Sequence, residues 1–179
     1  MNQTSYSTPT KILHWLTAIL VLVAFIYGPG GPEERIYSAA RDFDRQLHET
    51  LGMSVLVLSV IRILWRAFDR RPQPEPAPAW MLRAAAAAQG LLYALLFIVP
   101  LSAITGAWLE GHPLTLLRGA VVIPPPFGPS HDLGEQIAEL HGWLGDVILW
   151  LAGAHAAAAL FHHYFLKDGV LRSMLPGRR

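Results

Sequence analysis

Four of the eight histidines in this 179-residue chain lie inside long apolar stretches of sequence. They are His14, His48, His141 and His155. Ionisable side chains are costly in such stretches and usually serve a function there, and neutral imidazole is a good ligand for transition metals. The chain has no cysteine, which excludes disulfides, thiolate zinc sites, iron–sulfur clusters and covalently attached haem. The histidines are therefore candidates for non-covalent metal ligation or for proton transfer.

The spacing of these histidines predicts two pairs. His141 and His155 are 14 residues apart, which in one α-helix corresponds to about 21 Å along the axis and about 40° around it. One helix thus presents two imidazoles on one side, at two depths. Antiparallel packing would bring His48 opposite His141 and His14 opposite His155. Because two imidazoles on opposite faces of a planar macrocycle can hold a b-type haem, the pattern predicts two haem b groups with these four axial ligands to iron.

A glycine follows each histidine of one pair by four residues. Gly52 follows His48, and Gly145 follows His141. A residue without a Cβ, one helical turn along the ligand's face, would let a flat macrocycle lie against the helix backbone. The same glycines could equally serve helix packing, which is common in membranes.

A zinc site or a metal transporter is the alternative use for such histidines. Those sites usually add carboxylates at the same depth. The nearest acids, Glu139 and Asp146, lie only toward one end of the last apolar stretch. We therefore expect haem, with a haem-free membrane helper or transporter as the competing interpretation.

The elements that carry the histidines are predicted to be membrane-spanning helices. Hydrophobic residues make up 53% of the chain and charged residues 15%, with a mean hydropathy of +0.34, whereas soluble domains carry about 25% charged residues. This argues against a water-soluble enzyme, a disordered chain and a nucleic-acid binder. Apolar runs of about 20 residues predict one all-α domain, residues 1–179, formed by a four-helix transmembrane bundle. The predicted helices cover residues about 10–28, 47–67, 82–109 and 135–166.

The distribution of charge predicts the orientation of this bundle. Ten of the 14 Lys and Arg residues fall on the side that holds both termini, and four fall on the other side. The positive-inside rule then makes both termini cytoplasmic. Ten of the 13 acids fall on the opposite, outer side. The outer loop, residues 110–134, is long for a helical bundle, and such loops tend to cover sites or to be disordered.

The sequence resembles the bacterial cytochrome b561 family, and within it the superoxide oxidase type. The matching features are ILHW at residues 12–15, His48 with Gly52 and the later Arg62 and Arg66, HGWLG at residues 141–145, and HAAAALFHHYFLKD at residues 155–168. The last stretch is the most specific, and the resemblance covers the whole chain. It implies a four-helix cytochrome of the bacterial inner membrane with two b haems that passes electrons from a periplasmic donor to quinone. In the superoxide oxidase type, superoxide is oxidised to dioxygen.

The resemblance also implies a role for individual residues. His48 and His141 would hold the outer haem, and His14 and His155 the inner haem. His162 and Lys167 would bind the head group of ubiquinone, where a cation can stabilise negative charge and a histidine can deliver a proton. Lys167 could instead be a positive-inside anchor. Four further residues carry weaker expectations: Gln89 stands where some relatives have histidine, and we expect His112, His131 and His163 at the surface.

Two arginines near the inner end of the second helix have two possible roles. Arg62 and Arg66 could pair with the propionates of a haem, or they could anchor the helix by extending their charged groups to the membrane surface.

The electron donor has two interpretations. Superoxide is an anion, so an acidic outer side would repel it unless arginines cluster beside the haem. The candidates for such a cluster are Arg35, Arg41, Arg45 and Arg118. Alternatively, the chain is a cytochrome b subunit that relays electrons between a periplasmic dehydrogenase or hydrogenase and the quinone pool. An acidic outer side would suit a basic protein partner.

Overall fold

The computed structural model describes residues 5–30, 33–69, 72 and 76–175. Its long helices are α1 (Thr8–Ile26), α3 (Asp42–Phe68), α4 (Ala79–Leu109) and α5 (His131–Phe161), and a π-helical segment (His162–Leu166) extends α5. The short elements are α2 (Glu33–Ile36), α6 (Val170–Met174) and a hairpin of β1 (Leu114–Leu116) and β2 (Val121–Ile123).

Within the described ranges, four helices are long and apolar enough to cross a membrane. The predicted all-α, four-helix transmembrane fold is therefore confirmed. Arg70, Arg71, Glu75, Arg178 and Arg179, which enter the charge count, lie outside the described residues.

Two of the long helices begin earlier than their apolar runs, and the start of α3 lies beyond the tolerance of about four residues on the predicted boundaries. α3 begins at Asp42 rather than near residue 47, and α5 begins at His131 rather than near residue 135. Acids in the first turn favour a helix N-terminus, and Arg45 forms ion pairs one turn away with Asp42 and Glu49. These turns are stabilised by charge, so a search for apolar runs does not include them.

The long helices form two antiparallel pairs. α1 packs along α3, and α4 packs along α5, with a smaller contact between α3 and α4. α1 and α5 approach each other at only a few residues. The two pairs therefore face each other across a gap, which the interior side chains of α1, α3 and α5 border.

On α5 and α3, the residue seven positions after a histidine is a buried apolar residue. On α5 the series is His141, Ile148 and His155, and Val55 follows His48 by seven residues on α3. Residues seven apart share one side of a helix. Ile148 and Val55 are buried together with Leu95 and Leu96 of α4. This central apolar cluster (Val55, Leu95, Leu96 and Ile148) lies between the two histidine levels.

The two ends of the bundle are closed differently. At the end that holds residues 5–7, α6, His14 and His155, here called the terminal end, Trp15 Nε1–H donates to the carbonyl of Met174 at 2.9 Å. At the same end, the Asp69 carboxylate accepts hydrogen bonds from Ser7 Oγ at 2.7 Å and Thr10 Oγ1 at 2.5 Å. These contacts join the start of α1 to the end of α3 and to the C-terminal segment.

The opposite end, which carries the β hairpin, His48 and His141, is here called the hairpin end. The expected long loop is ordered by side chains of α3. The backbone N–H of Thr115 donates to Glu49 Oε2 at 2.5 Å, and that of Leu117 donates to Thr50 Oγ1 at 2.9 Å. Leu114 and Leu116 of β1 are buried, so one face of the hairpin packs onto the protein. The loop is therefore a lid attached to α3 beside His48.

Glu49 is expected to control the attachment of this hairpin. Its side chain is only 12% exposed and also accepts from Arg45 Nη1 at 2.7 Å. A Glu49→Gln variant cannot accept both hydrogen bonds, and an unmet buried hydrogen bond costs about 1–3 kcal/mol. Hydrogen exchange at the amides of Thr115 and Leu117 should therefore accelerate roughly 5- to 150-fold. The exposed Glu135→Gln change on α5 is the matched control, and equal exchange in both variants would contradict the role of Glu49.

Candidate functional site

The structure brings together the predicted pair His48 and His141. Their ring centres are 5.9 Å apart, and the ring planes are inclined by 80°. His48 comes from α3 and His141 from α5, so the pair bridges the gap between the two helix pairs at the hairpin end. Neither helix could form this arrangement alone.

The end of α1 holds the ring of His48. The ring Nδ1–H donates to the carbonyl of Ala24 at 2.8 Å. Carbonyls in the last turn of a helix lack a helical partner, and the N–H of Gly28 donates to Phe25 instead, at 3.2 Å. A Cβ on Gly28 would lie 3.4 Å from His48 Cε1 and Nδ1. Glycine at the end of α1 therefore lets the backbone approach the imidazole closely.

The ring of His141 is held in the same way by α4. Its Nδ1–H donates to the carbonyl of Val99 at 3.0 Å. Ser102 Oγ lies 3.4 Å from the same ring nitrogen and donates to the same carbonyl at 2.7 Å. When Nδ1 carries the proton, Nε2 is the nitrogen with a free lone pair. This second hydrogen bond to a backbone carbonyl is typical of metal-ligating histidines, because it fixes both the tautomer and the ring orientation.

The structure also brings together the second predicted pair, His14 and His155. Their ring centres are 6.4 Å apart with an inclination of 71°. The edge of Trp15 packs on His14, with ring centres 5.3 Å apart. Arg62 is near enough to both imidazoles to act on them electrostatically. The pair lies 14 residues along α5 from the first one, below the central apolar cluster.

Both pairs have the separation that a haem iron requires. An imidazole nitrogen binds a metal at about 2.0–2.1 Å, and with roughly 1 Å more from each nitrogen to its ring centre, two rings on one iron lie about 6 Å apart. The space beside the hairpin-end pair also fits a macrocycle. A Cβ built on Gly52 or on Gly145 meets nothing within 4 Å. The residues present at both levels therefore fit haem b.

Two arginines at the terminal end converge on one tyrosine. The guanidinium carbons of Arg62 and Arg66 each lie 5.2 Å from the ring centre of Tyr93. Within the part of the chain that the structure describes, neither arginine forms an ion pair with a carboxylate. Both guanidinium groups are half-buried and have no carboxylate partner among the described residues, which suits the propionates of a haem.

Gln89 lies in a cleft at the terminal end of the bundle. It lines a cleft of about 370 Å³ between α3 and α4, together with Arg66 and Tyr93. His162 and Lys167 belong to the π-helical segment and the turn after it. Gln89 is therefore beside the arginines of the terminal end rather than part of the His162 turn.

The turn that follows α5 contains a histidine–aspartate pair. His162 Nδ1–H donates to Asp168 Oδ2 at 2.5 Å. Burial by itself would raise the pKa of Asp168, but hydrogen bonds from His162 and from the N–H of Val170 outweigh it and lower the pKa below its ordinary value. Lys167, between them, is exposed and has a left-handed backbone with φ of 57°.

Two of the three expected surface histidines are not fully exposed. His163 is half-buried, and its Nδ1 is buried without a hydrogen-bond partner in the described chain. His112 is half-buried and stacks on Tyr37 with ring centres 3.4 Å apart. His131 is exposed, as predicted. The first two differ from expectation because the π-helical segment and the hairpin loop fold back onto the protein, which local sequence does not reveal.

The arginines of the hairpin end do not form a cluster. Arg45 pairs with Asp42 and Glu49, and Arg41 pairs with Asp44 at 3.1 Å. Arg118 lies over the ring of Phe43, 5.8 Å from its centre. Two of the four arginines, Arg41 and Arg45, are therefore neutralised by acids of the protein itself, whereas Arg35 is exposed.

A zinc-like site is not formed by the described residues. No group of three or more His, Cys, Asp or Glu side chains among them is close enough to hold a metal ion. The histidines come together in twos, at separate depths.

Several residues at these sites were not found by sequence reasoning. The carbonyls of Ala24 and Val99, the close approach at Gly28, and the partnership of Asp168 with His162 all depend on the tertiary arrangement. A backbone carbonyl has no sequence signal. Asp168 had a weak sequence signal. A carboxylate six residues after a histidine at a helix end can reach the imidazole if the chain turns back.

Comparison with known proteins gives a consistent set of similarities. A family model described as prokaryotic cytochrome b561 matches residues 5–177. The chain is 31% identical to cytochrome b561 homolog 2 of Escherichia coli (strain K12) over 171 residues. The matched region covers 95% of this chain and 90% of that protein. It is 34% identical over 183 residues to cytochrome b562 of Cereibacter sphaeroides, covering 99% of each. It is 29% identical over 171 residues to a Yersinia pestis protein named "probable superoxide oxidase CybB", covering 93% of each.

Proposed function

Because this chain belongs to the prokaryotic cytochrome b561 family, whose members are membrane cytochromes b that transfer electrons, we propose that it oxidises superoxide at the hairpin end and reduces ubiquinone at the terminal end. The proposal rests on the two histidine pairs at two levels of one bundle. The ring centres are 5.9 Å apart in the pair at the hairpin end and 6.4 Å apart in the pair at the terminal end. Electrons must cross the apolar core to connect the two reactions, and these levels lie along that path.

The overall reaction balances with two protons taken from the solvent. Two superoxide anions each lose one electron to become dioxygen, and one ubiquinone takes up those two electrons and two protons to become ubiquinol. When bound, haem b at each histidine pair would supply one-electron redox chemistry across the bilayer. His48 and His141 would hold the haem of the hairpin end, and His14 and His155 that of the terminal end.

The protein's own residues orient and insulate these groups. The carbonyls of Ala24 and Val99 hold the hairpin-end imidazoles with Nε2 free. Gly52 and Gly145 leave room for the macrocycle. Arg62 would neutralise a propionate at the terminal end, where no carboxylate of the described chain pairs with it. The central apolar cluster excludes water between the two levels.

Ubiquinone would bind at the terminal end beside His162 and Lys167. His162 is half-buried in the turn after α5, while Lys167 is exposed next to it. The neighbouring side chains of Tyr164 and Phe165 are 67% and 74% exposed. An apolar surface next to two polar groups suits a molecule with a lipid-soluble tail and a polar head.

The charge distribution supports an inner-membrane orientation with the terminal end in the cytoplasm. Superoxide would then reach the hairpin end from the periplasm. Since Arg41 and Arg45 are ion-paired, Arg35 and Arg118 are the candidates for local attraction of the anion. The name of the Yersinia pestis relative supports superoxide as the donor.

Mixing the oxidised haem-loaded protein with potassium superoxide in a stopped-flow instrument tests this donor. Haem absorption should change to the reduced form at a near-diffusional rate, about 10⁸ M⁻¹s⁻¹ or faster. His48→Ala is the comparison, because it removes a ligand at the hairpin end. A wild-type reaction no faster than that of His48→Ala would rule out superoxide as the donor.

A second candidate function is relay from a periplasmic protein. Asp132, Glu135 and Glu139 of α5 are exposed, and their spacing places them on one side of the helix. Such a surface would bind a basic electron-transfer partner. Purification from native membranes with a stoichiometric basic periplasmic subunit, lost in the triple Asn/Gln variant, would favour this function over superoxide oxidation.

A further inference from the structure

We propose that Asp168 is a positioning residue for proton delivery to the quinone, acting by holding the Nδ1–H of His162 so that Nε2 of the same ring faces the substrate. The inference rests on the proposed quinone reduction at the terminal end and assigns the protonation step to a defined pair. His162 would touch the quinone oxygen, whereas Asp168 would act only through His162.

Both oxygens of the Asp168 carboxylate are engaged in ways that restrict it. Oδ2 accepts from His162 Nδ1 at 2.5 Å, and Oδ1 accepts from the backbone N–H of Val170 at 3.1 Å. The second bond anchors the carboxylate to the start of α6. The imidazole is therefore held by a group that is itself held by the backbone.

The backbone of the turn is shaped so that this pair can form. The π-helical segment carries His162, and Lys167 reverses the chain with a left-handed conformation. The N–H of Asp168 then donates back to the carbonyl of His162 at 3.3 Å. A regular α-helix would carry residue 168 one and a half turns away along the axis, out of reach of the ring.

The charge state of Asp168 suits an acceptor at physiological pH. The lowered pKa of Asp168 means that its carboxylate stays ionised until the solution is more acidic than its ordinary titration range. The stabilisation from the pair is thus complete above the pKa of the unfolded chain and is lost as the pH falls through the lower folded value. A proton donated to the quinone would not be drawn from Asp168.

Other titratable groups lie near the pair on the elements packed against it. They are His163 and Tyr164 of the π-helical segment, Lys167 of the turn, and Arg172 of α6. Among the described residues, Asp168 is the one whose side chain hydrogen-bonds to the ring of His162. The His163 ring instead lies against Tyr164, with ring centres 4.9 Å apart.

The chemistry needs one proton at Nε2 for each transfer. When His162 is doubly protonated, Nδ1–H stays with Asp168 and Nε2–H can be given to a quinone oxygen. The O–H bond forms as the Nε2–H bond breaks, and the ring returns to the neutral form with Nδ1–H in place. Water at the membrane surface restores the proton, and two such transfers with two electrons convert the quinone to the quinol.

The test measures reoxidation of the haem-loaded protein, reduced beforehand with stoichiometric dithionite and mixed with a short-chain ubiquinone. Asp168→Asn should slow quinone-driven reoxidation about 10- to 100-fold, because a neutral amide cannot hold Nδ1–H with the charge-assisted hydrogen bond that the carboxylate forms. Asp168→Glu, which keeps a carboxylate, should retain most of the wild-type rate. The exposed Asp146→Asn change on α5 is the matched control.

A double variant separates positioning from a merely structural role. If Asp168 acts through His162, the His162→Ala/Asp168→Asn protein should be no slower than His162→Ala alone. Nitrogen-15 NMR of labelled histidine should also show His162 protonated at Nδ1 in the wild type and a tautomer mixture in Asp168→Asn. Additive effects, an unchanged tautomer of His162 in Asp168→Asn, or equal loss of rate in Asp168→Glu and Asp168→Asn would each overturn the proposal.

These results distinguish two kinds of failure. If the reduced wild type is not reoxidised by ubiquinone, the proposed quinone reductase function fails and the positioning role fails with it. If the wild type reacts and Asp168→Asn reacts equally fast at every pH, the function stands and the role of Asp168 is rejected.

Discussion

A His48→Ala variant is expected to purify with one haem b per chain instead of two, and His141→Ala should lack the same haem. Each of these rings would supply half of the axial ligation at the hairpin end, where their centres are 5.9 Å apart. His14→Ala and His155→Ala should both lack the other haem. Pyridine haemochrome quantitation and reduced-minus-oxidised spectra will show whether the four variants sort into two spectral classes.

His131→Ala is the control for these variants, since His131 is exposed at the start of α5. It should retain both haems. The assignment of the pairs would be contradicted if His48→Ala and His155→Ala lacked the same haem, because those residues lie at opposite ends of the bundle. A wild-type preparation without bound haem would exclude the whole arrangement.

The imidazole rings at the two ends of the bundle should differ in how firmly the protein orients them. The hairpin-end rings are oriented by the carbonyls of Ala24 and Val99, whereas the described chain shows no hydrogen bond at Nδ1 of His14 or His155. Hydrogen bonds of this kind fix the ring and increase its basicity. The hairpin-end ligands are therefore pre-oriented by the helix backbones before any haem arrives.

A Gly145→Leu variant is expected to lose the hairpin-end haem while the bundle still inserts and folds. A side chain at this position would occupy the open space beside His141, where a Cβ meets nothing within 4 Å. Leucine is a better helix former than glycine by about 0.5–1 kcal/mol, so a weaker helix would not explain the loss. Gly52→Leu should have the same effect from α3.

Gly142→Leu is the matched control, because Gly142 is exposed on the same helix and an added Cβ also meets nothing within 4 Å. It should bind two haems. The measurement is haem content per chain, with far-ultraviolet circular dichroism to confirm equal helix content. Two haems in Gly145→Leu would mean that the macrocycle does not lie against this glycine.

The chemistry at the terminal end and the identity of the donor stand on different observations. The His162–Asp168 pair is a direct contact at 2.5 Å, and its proposed role depends on local geometry. Superoxide as donor depends on charge at the hairpin end, where Arg41 and Arg45 are already paired with acids. An ionic-strength dependence of haem reduction would show how much Arg35 and Arg118 contribute.

The sequence alone was enough to predict four spanning helices and the two histidine pairs. Apolar length is a direct requirement of the bilayer, and the 14-residue interval between His141 and His155 places both rings on one side of any regular helix. These are properties of a single helix, so they can be derived without knowing its neighbours. The pairing with His48 and His14 needed only the up-and-down order of the four spans, which sets the depth of each histidine in the membrane.

Only the tertiary structure decided which groups hold the imidazoles and which charges remain available. The carbonyl of Ala24 is available to His48 because α1 ends two residues later, and Asp168 reaches His162 because the chain reverses at Lys167. Arg45 is neutralised by neighbours one turn away, and Glu49 binds a hairpin 66 residues further along the chain. Such contacts depend on where helices end and how loops return, and hydrophobic periodicity contains no information about either.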